Sequence, residues 1–245
     1  LQRAFFPRAD AVISNSQAAA DDLQSMFAIA PPKIHTIHNA LNVDRIRRLA
    51  REPIDHPFFF KDQTPLIVSV GSLTQRKDMG TLIRAFKHVT DRQAARLVII
   101  GKGPEQDKME ALIANLGLSE IVYLAGFDAN PYKWIAAAAV FASASTGEGF
   151  PNVIAEALAL NCPVVATDCP GDTAELLGHG RWGRLVPVGD PTQMAHAIVD
   201  TLNDTAIPNG RIRAADFAPS KITSAYLNVL LPKVGGAASI LHESA

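Results

Sequence analysis

The sequence predicts an α/β protein: a parallel sheet with helices packed on both faces. Short runs rich in β-branched and apolar residues alternate with stretches of helical periodicity along nearly the whole chain, as strand–helix–strand crossovers require. The run Leu66-Ile-Val-Ser-Val-Gly71 is apolar almost without a break, which fits a strand buried on both faces. With 245 residues the chain can hold one large domain, or one domain plus part of another, and 48% hydrophobic with 19% charged residues is ordinary for a globular protein.

The elements follow in order. Residues 11–16 read as a strand, 17–27 as an amphipathic helix and 33–37 as a second strand, a set that does not fit inside the sheet that comes after. His35 and His38 flank the end of that second strand and read as having no acidic partner. Residues 45–63, with Pro53, Pro57 and three consecutive Phe, read as a connection. The main unit then runs strand 66–71, helix 79–89, strand 96–101, helix 105–116, strand 121–124, helix 131–138 and strand 140–144. A helix opening near Pro151, strands 163–167 and 184–187, and a helix over 191–202 complete it. Six strands make a full Rossmann-like domain. A last helix covers 218–231, and a polar tail follows.

Bulk properties narrow the function. A net charge of −1 gives no reason to expect nucleic acid as partner. Cys162 and Cys169 bracket a strand and suggest no disulfide framework, which fits a reducing cytoplasm. No apolar run reaches the length of a membrane span and no signal-peptide pattern opens the chain. The chain starts at Leu1 rather than Met, so it is expected to begin inside a longer parent. The seven His lack metal-ligand spacing and no Asp-x-Asp occurs, so neither a metal nor a cofactor is expected.

The best clue to chemistry is Glu148-Gly-Phe-Pro-Asn-Val-Ile-Ala-Glu156. Pro151 suits a first helical turn, and Val153, Ile154, Ala157 and Leu158 continue at helical spacing. Glu148 then lies in the loop before the helix and Glu156 inside it. Between them the N–H groups of Gly149, Phe150, Asn152 and Val153 are expected to stand unpaired at the helix start, where an anion binds. Carboxylates only accept hydrogen bonds, so two of them around such a site suit a ligand with hydroxyls on both sides of a phosphate. A nucleotide sugar has that form.

This run, extended to Thr167, resembles the Glu-x7-Glu signature of family 4 retaining glycosyltransferases. Spacing alone would be weak; the Gly-Phe-Pro and the apolar strand after the second Glu carry the likeness. The resemblance implies a GT-B fold, two Rossmann-like domains facing across a cleft. It covers about residues 9–231 and implies that 1–40 is a remnant of the N-terminal acceptor domain. It further implies a linker at 41–64, a donor-binding domain at 65–231 and a tail at 232–245. Family members place a Lys after the first strand of this domain, usually with an Arg directly after the strand glycine, to neutralise the donor diphosphate. Lys77 matches the first; Ser72 stands after Gly71 where the Arg is usual, and Arg76 is the nearest other cation. A cation there opposes the helix dipole, so capping does not account for it.

The resemblance places Glu148 on the sugar, Glu156 on the ribose, and the loop at Gly126-Phe127 near the nucleobase. A Phe packed on the domain would explain Phe127 equally well. Gly101-Lys-Gly-Pro104 lacks the third glycine of a dinucleotide fingerprint and reads as a tight turn. Asp172 and Glu175 read as the cap and first-turn charge of a short helix. Taken together, the expected activity is retaining transfer of a hexose or N-acetylhexosamine from a nucleotide sugar, UDP-linked in the first instance, to a glycan or lipid-linked acceptor. The expected partners are that donor and acceptor, with peripheral contact at the inner membrane face through the absent domain and an associating chain over residues 1–40. The donor-binding half alone is expected to be inactive. The rival expectation is a non-catalytic nucleotide-sugar-binding subunit.

Overall fold

The computed structural model describes residues 5–56 and 64–231, so the three consecutive Phe and the tail lie outside the described residues. Its centre is a six-stranded, all-parallel sheet in the order β5-β4-β3-β6-β7-β8. The strands are β3 (Leu66–Val70), β4 (Arg96–Ile100), β5 (Val122–Gly126), β6 (Val140–Ser143), β7 (Val164–Thr167) and β8 (Arg184–Val186). All six stand at the positions read from the sequence. Ile67, Val68, Leu97, Val98, Ile99, Val140, Phe141 and Ala142 are fully buried, which is why these runs are continuously apolar rather than alternating.

Each face carries its own helices. On one side α3 (Met79–Thr90), α4 (Gln106–Asn115) and α8 (Pro191–Asn203) cover a core of Leu82, Phe86, Ile99, Met194 and Ile198. On the other, α5 (Tyr132–Ala137), α6 (Asn152–Ala159) and α9 (Gly210–Ala214) close over Phe141, Ile154, Leu158 and Phe217. Local chemistry sets the helix starts. Asp78 takes the N–H of Thr81 at 3.1 Å to cap α3, and Asp190 takes that of Gln193 at 2.9 Å ahead of Pro191 in α8.

The N-terminal segment is separate from this sheet. β1 (Val12–Ser14) and β2 (Ile34–Thr36) pair in parallel as a two-stranded sheet, and α1 (Gln17–Phe27) connects them. The chain then enters α2 (Val43–Leu49), whose Ile46 is buried in the second of the two cores. The remaining helices are the short α7 (Thr173–Leu176) and the terminal α10 (Pro219–Leu230). No helix among the described residues is long and apolar enough to cross a membrane.

β3 and β6 lie side by side, yet the chain leaves them toward opposite edges, β3 toward β4 and β6 toward β7. Ligands of open parallel sheets bind outside the carboxyl ends of strands at such a reversal. Topology alone therefore points to the loops after Val70 and Ser143.

Candidate active site

Those two loops carry Gly71, Ser72, Arg76, Lys77 and Glu148 among the residues singled out by the sequence, and they are joined to each other. The Thr146 N–H donates to the Arg76 carbonyl at 2.8 Å, and Arg76 Nη1 donates to the Gly147 carbonyl at 2.9 Å. Beneath them, Gly101 holds φ +149°, and a Cβ there would lie 1.9 Å from the Gly71 carbonyl oxygen. A Cβ at Gly103 would lie 2.3 Å from the Leu73 oxygen. The Gly101-Lys-Gly turn is thus a support packed under the β3 loop, as its sequence suggests.

At the centre stands Glu148, its side chain only 7% exposed. Lys77 Nζ donates to Oε1 in a short ion pair, Arg76 Nη1 donates to Oε2 at 3.0 Å, and Ser145 Oγ donates to Oε1 at 2.7 Å. Burial pushes the Glu148 carboxyl up, but the hydrogen bonds from Lys77 and Ser145 and the charges of Lys77 and Arg76 outweigh it and hold it below the usual glutamate range. The two cations assigned from sequence to a diphosphate both rest on the carboxylate assigned to the sugar. Lys77 is 14% exposed and its stem lies 3.4 Å from where a Gly71 Cβ would be, whereas Arg76 is 57% exposed. Ser72 is exposed, its hydroxyl 3.5 Å from that of Thr74.

The start of α6 lies beside this cluster. Gly149, Phe150 and Val153 have backbone N–H groups with no acceptor among the described residues, but Asn152 does not: its N–H donates to the Phe150 carbonyl at 3.0 Å. The expectation of four open donors is therefore corrected to three. Pro151 is the cap residue with φ −79° and ψ 82°, and this bend is what folds Asn152 back onto Phe150. The Phe150 side chain is buried against His38 and Phe217, ring centroids 5.2 and 5.0 Å away.

Glu156 sits on the fifth residue of α6 and accepts from Tyr132 Oη at 3.1 Å. Burial raises its carboxyl above the usual range, opposed by the Tyr132 hydrogen bond and by the charge of Arg45 on α2. The two glutamates therefore carry opposite pH signatures. Glu148, lowered in the fold, contributes stability that is present above its unfolded value and lost as pH falls through the folded one. Glu156, raised in the fold, favours the native state while protonated, and this advantage is lost as pH rises through its folded value. Glu156→Gln is accordingly expected to melt above the wild type at pH 7 and level with it below about pH 4, where the native carboxyl is neutral too. Thermal unfolding across that range checks this; a variant melting lower at pH 7 would refute it.

Phe127 follows β5 with 73% of its surface exposed, so it does not pack on the domain as a core residue would. Two expectations about acidic and histidine residues are overturned. Asp172 is the cap residue of α7, but its side chain makes no bond there. Its carboxylate instead takes the N–H groups of Gln17 at 3.1 Å and Ala18 at 3.3 Å, at the start of α1. His38 does have acidic neighbours: its Nε2 lies 3.3 Å from Asp172 and 3.8 Å from Glu175. Pairing across such a separation in sequence leaves no local signal. The trio His38, Asp172 and Glu175 is the metal-like cluster among the described residues, yet both Asp172 oxygens are aimed at backbone donors, the reverse of a cation site. Ser145 and Tyr132, which hold the two glutamates, were also missed. Ser145 stands three residues before Glu148; Tyr132 is 24 residues from its partner and gives no such hint.

The six-stranded parallel α/β fold is that of GT-B glycosyltransferases, and comparison with known proteins agrees with it. The family model described as Glycosyl transferases group 1 matches residues 64–204, and one described as Glycosyltransferase Family 4 matches residues 1–45. The chain belongs to the group 1 glycosyl transferases. It is 37% identical, over 92% of its own length and 61% of the relative's, to the N-acetylgalactosamine-N,N'-diacetylbacillosaminyl-diphospho-undecaprenol 4-alpha-N-acetylgalactosaminyltransferase of Campylobacter jejuni. It is 29% identical to the lipopolysaccharide core biosynthesis glycosyltransferase LpsE of Rhizobium meliloti, over 94% of this chain and 66% of that one. Among solved structures, Anabaena HepE in complex with UDP superposes with a TM-score of 0.78 at 25% identity, covering 91% of this chain and 64% of that one. The chain thus spans about two thirds or less of the length of these proteins.

Proposed function

We propose that the chain is the donor-binding part of a retaining glycosyltransferase that moves a hexose or N-acetylhexosamine from a UDP-linked sugar to a glycan or lipid-linked acceptor. The observation that carries this reading is the Lys77–Arg76–Glu148 cluster beside the open start of α6, at the reversal point of the sheet. The Campylobacter relative, named for a transfer onto a diphospho-undecaprenol acceptor, and the UDP complex of HepE support the acceptor and donor classes. In this reading residues 1–40 belong to the acceptor-side unit, 41–64 to the connection, 65–231 to the donor domain and 232–245 to a tail. Among the described residues β1 and β2 pair only with each other, and their outer edges suit association with a further chain. A lipid-linked acceptor puts the protein in the cytoplasm at the inner membrane face.

The chemistry follows from charge. The diphosphate draws Lys77 and Arg76 from Glu148 and accepts the N–H groups of Gly149, Phe150 and Val153. Phe127 and Ser72 lie at the base and phosphate ends of the nucleotide, with Gly71 giving the ligand backbone clearance. Glu156 accepts from the ribose hydroxyls, and Glu148, released, accepts from the sugar hydroxyls. When the bond between the anomeric carbon and the phosphate oxygen breaks, its electron pair stays on the diphosphate and the ring becomes cation-like. Lys77, Arg76 and the helix end stabilise the first charge and Glu148 the second. The acceptor oxygen attacks from the same face and passes its proton to the departing phosphate, so configuration is kept without a protein nucleophile.

Calorimetry with UDP tests the reading. The chain is expected to bind UDP, and Glu156→Gln to weaken that binding by about 1.5–3 kcal/mol, the worth of charge-assisted bonds to the ribose. No binding of UDP, GDP or ADP would sink the assignment. Transfer by this chain alone is expected to be negligible; robust turnover would overturn the assignment of the acceptor site to a separate unit.

A further inference from the structure

The first turn of α1 has amide donors that helix geometry leaves open. Ser16 Oγ takes the N–H of Ala19 at 3.1 Å, and Asp172, 155 residues from Gln17 along the chain, takes those of Gln17 and Ala18. Asp172 is 2% exposed, so this is a built contact between the N-terminal segment and the sheet domain rather than a surface encounter.

Asp172 is also fastened to the Glu148 loop. Its own N–H donates to the Gly149 carbonyl at 3.2 Å, and the Glu148 N–H donates to the Pro170 carbonyl at 2.9 Å. Between them Gly171 packs so closely that a Cβ would lie 1.6 Å from the Glu148 oxygen. The two loops have no slack to move separately. Two more contacts run the same way: the His38 ring lies tilted against that of Phe150, centroids 5.2 Å apart, and Asn39 Nδ2 donates to Asn152 Oδ1 at 3.0 Å. All three contacts meet the segment 148–153, where the nucleotide is assigned.

We propose that Asp172 is a positioning residue that clamps the start of α1 to the donor loop, so that a nucleotide diphosphate in the donor site steadies the N-terminal unit. This rests on the donor-site reading above. A ligand that restrains the Glu148–Val153 segment restrains Asp172 through the paired loops, and Asp172 holds α1 by its carboxylate.

Amide hydrogen exchange on the chain, free and with saturating UDP, tests the clamp. UDP is expected to slow exchange at Ala18 by about threefold or more, the signature of suppressed local opening. In Asp172→Asn one carboxylate oxygen becomes an NH2 that cannot accept, so UDP should still bind while the slowing disappears. Gln17→Pro attacks the clamp from the other side. Gln17 is the first residue of α1, where proline is tolerated, and Ser16 before it has the extended backbone (φ −148°, ψ 151°) that proline demands of its predecessor. That variant should show a reduced slowing. Gln17→Ala loses only the side-chain bonds to Asp21 and Thr36 and should keep the full response. UDP bound with unchanged Ala18 exchange in the wild type, or an undiminished slowing in Asp172→Asn and Gln17→Pro, would overturn the clamp while leaving the donor site intact. Absence of UDP binding sinks the donor-site reading itself.

Discussion

Glu148→Gln is expected to cut sugar transfer by about a hundredfold or more while leaving UDP affinity unchanged or improved. The split follows from the partners of the carboxylate. Glu148 holds Lys77 and Arg76, the same cations that the proposed reading gives to a diphosphate. Removing its charge releases both, so a nucleotide no longer competes with an internal anion. In the transition state the balance reverses, because the carboxylate then faces a cation-like ring, and an amide of the same shape offers only dipoles. An interaction felt only in the transition state lowers turnover without raising the dissociation constant of the donor. Lys77 is the contrasting case: Lys77→Ala takes a cation from the diphosphate and should weaken binding and transfer together. The measurement is calorimetry with UDP beside transfer assays in a protein of the relatives' full length. Equal losses of affinity and turnover in Glu148→Gln would mean that its partner is the nucleotide.

The fold was legible because its strands are buried on both faces. A run such as Leu66 to Val70 admits little but apolar residues, and punctuation by Gly71, Gly101 and Gly126 marks where each strand ends. The order of the strands could not be read residue by residue, yet the count of six and the parallel pattern left few arrangements. The candidate site was legible only as far as it is local. Glu148, Glu156 and the α6 start lie within nine residues of each other and share one loop and one helix. What holds them is not local. Asp172 gives its carboxylate to α1 rather than to its own helix, and nothing in Gly171-Asp-Thr-Ala-Glu175 distinguishes these uses. The sharing of Glu148 by Lys77 and Arg76 spans 71 and 72 residues, and no local pattern announces it. Asn152 was miscounted as an open donor for a smaller reason: the bend at Pro151 turns its N–H inward.

Gly171→Ala should be the most damaging single methyl in the donor region, and Gly180→Ala separates its causes. Both glycines hold positive φ, +117° and +98°, so an alanine at either is strained by its own backbone. At Gly180 an added Cβ meets nothing within 4 Å, and the cost is that strain alone, about 1 kcal/mol. At Gly171 the Cβ would fall 1.6 Å from the Glu148 carbonyl oxygen and 2.6 Å from its carbon. Those are backbone atoms, which cannot swing aside as a side chain tip can. The Pro170–Asp172 and Glu148–Phe150 loops must therefore part, giving up the Glu148–Pro170 and Asp172–Gly149 hydrogen bonds. Strain, overlap and lost bonds sum to about 3 kcal/mol or more, within the tail reserved for special backbone positions. For a chain of this size that is a fall in Tm of roughly 6–12 °C, against about 2–4 °C for Gly180→Ala. UDP binding should fail in the first variant at temperatures where it remains folded, because the parted loop carries Glu148 and the α6 donors with it, and should survive in the second. If the two proteins melt alike and both bind UDP, the loops are not interlocked through Gly171.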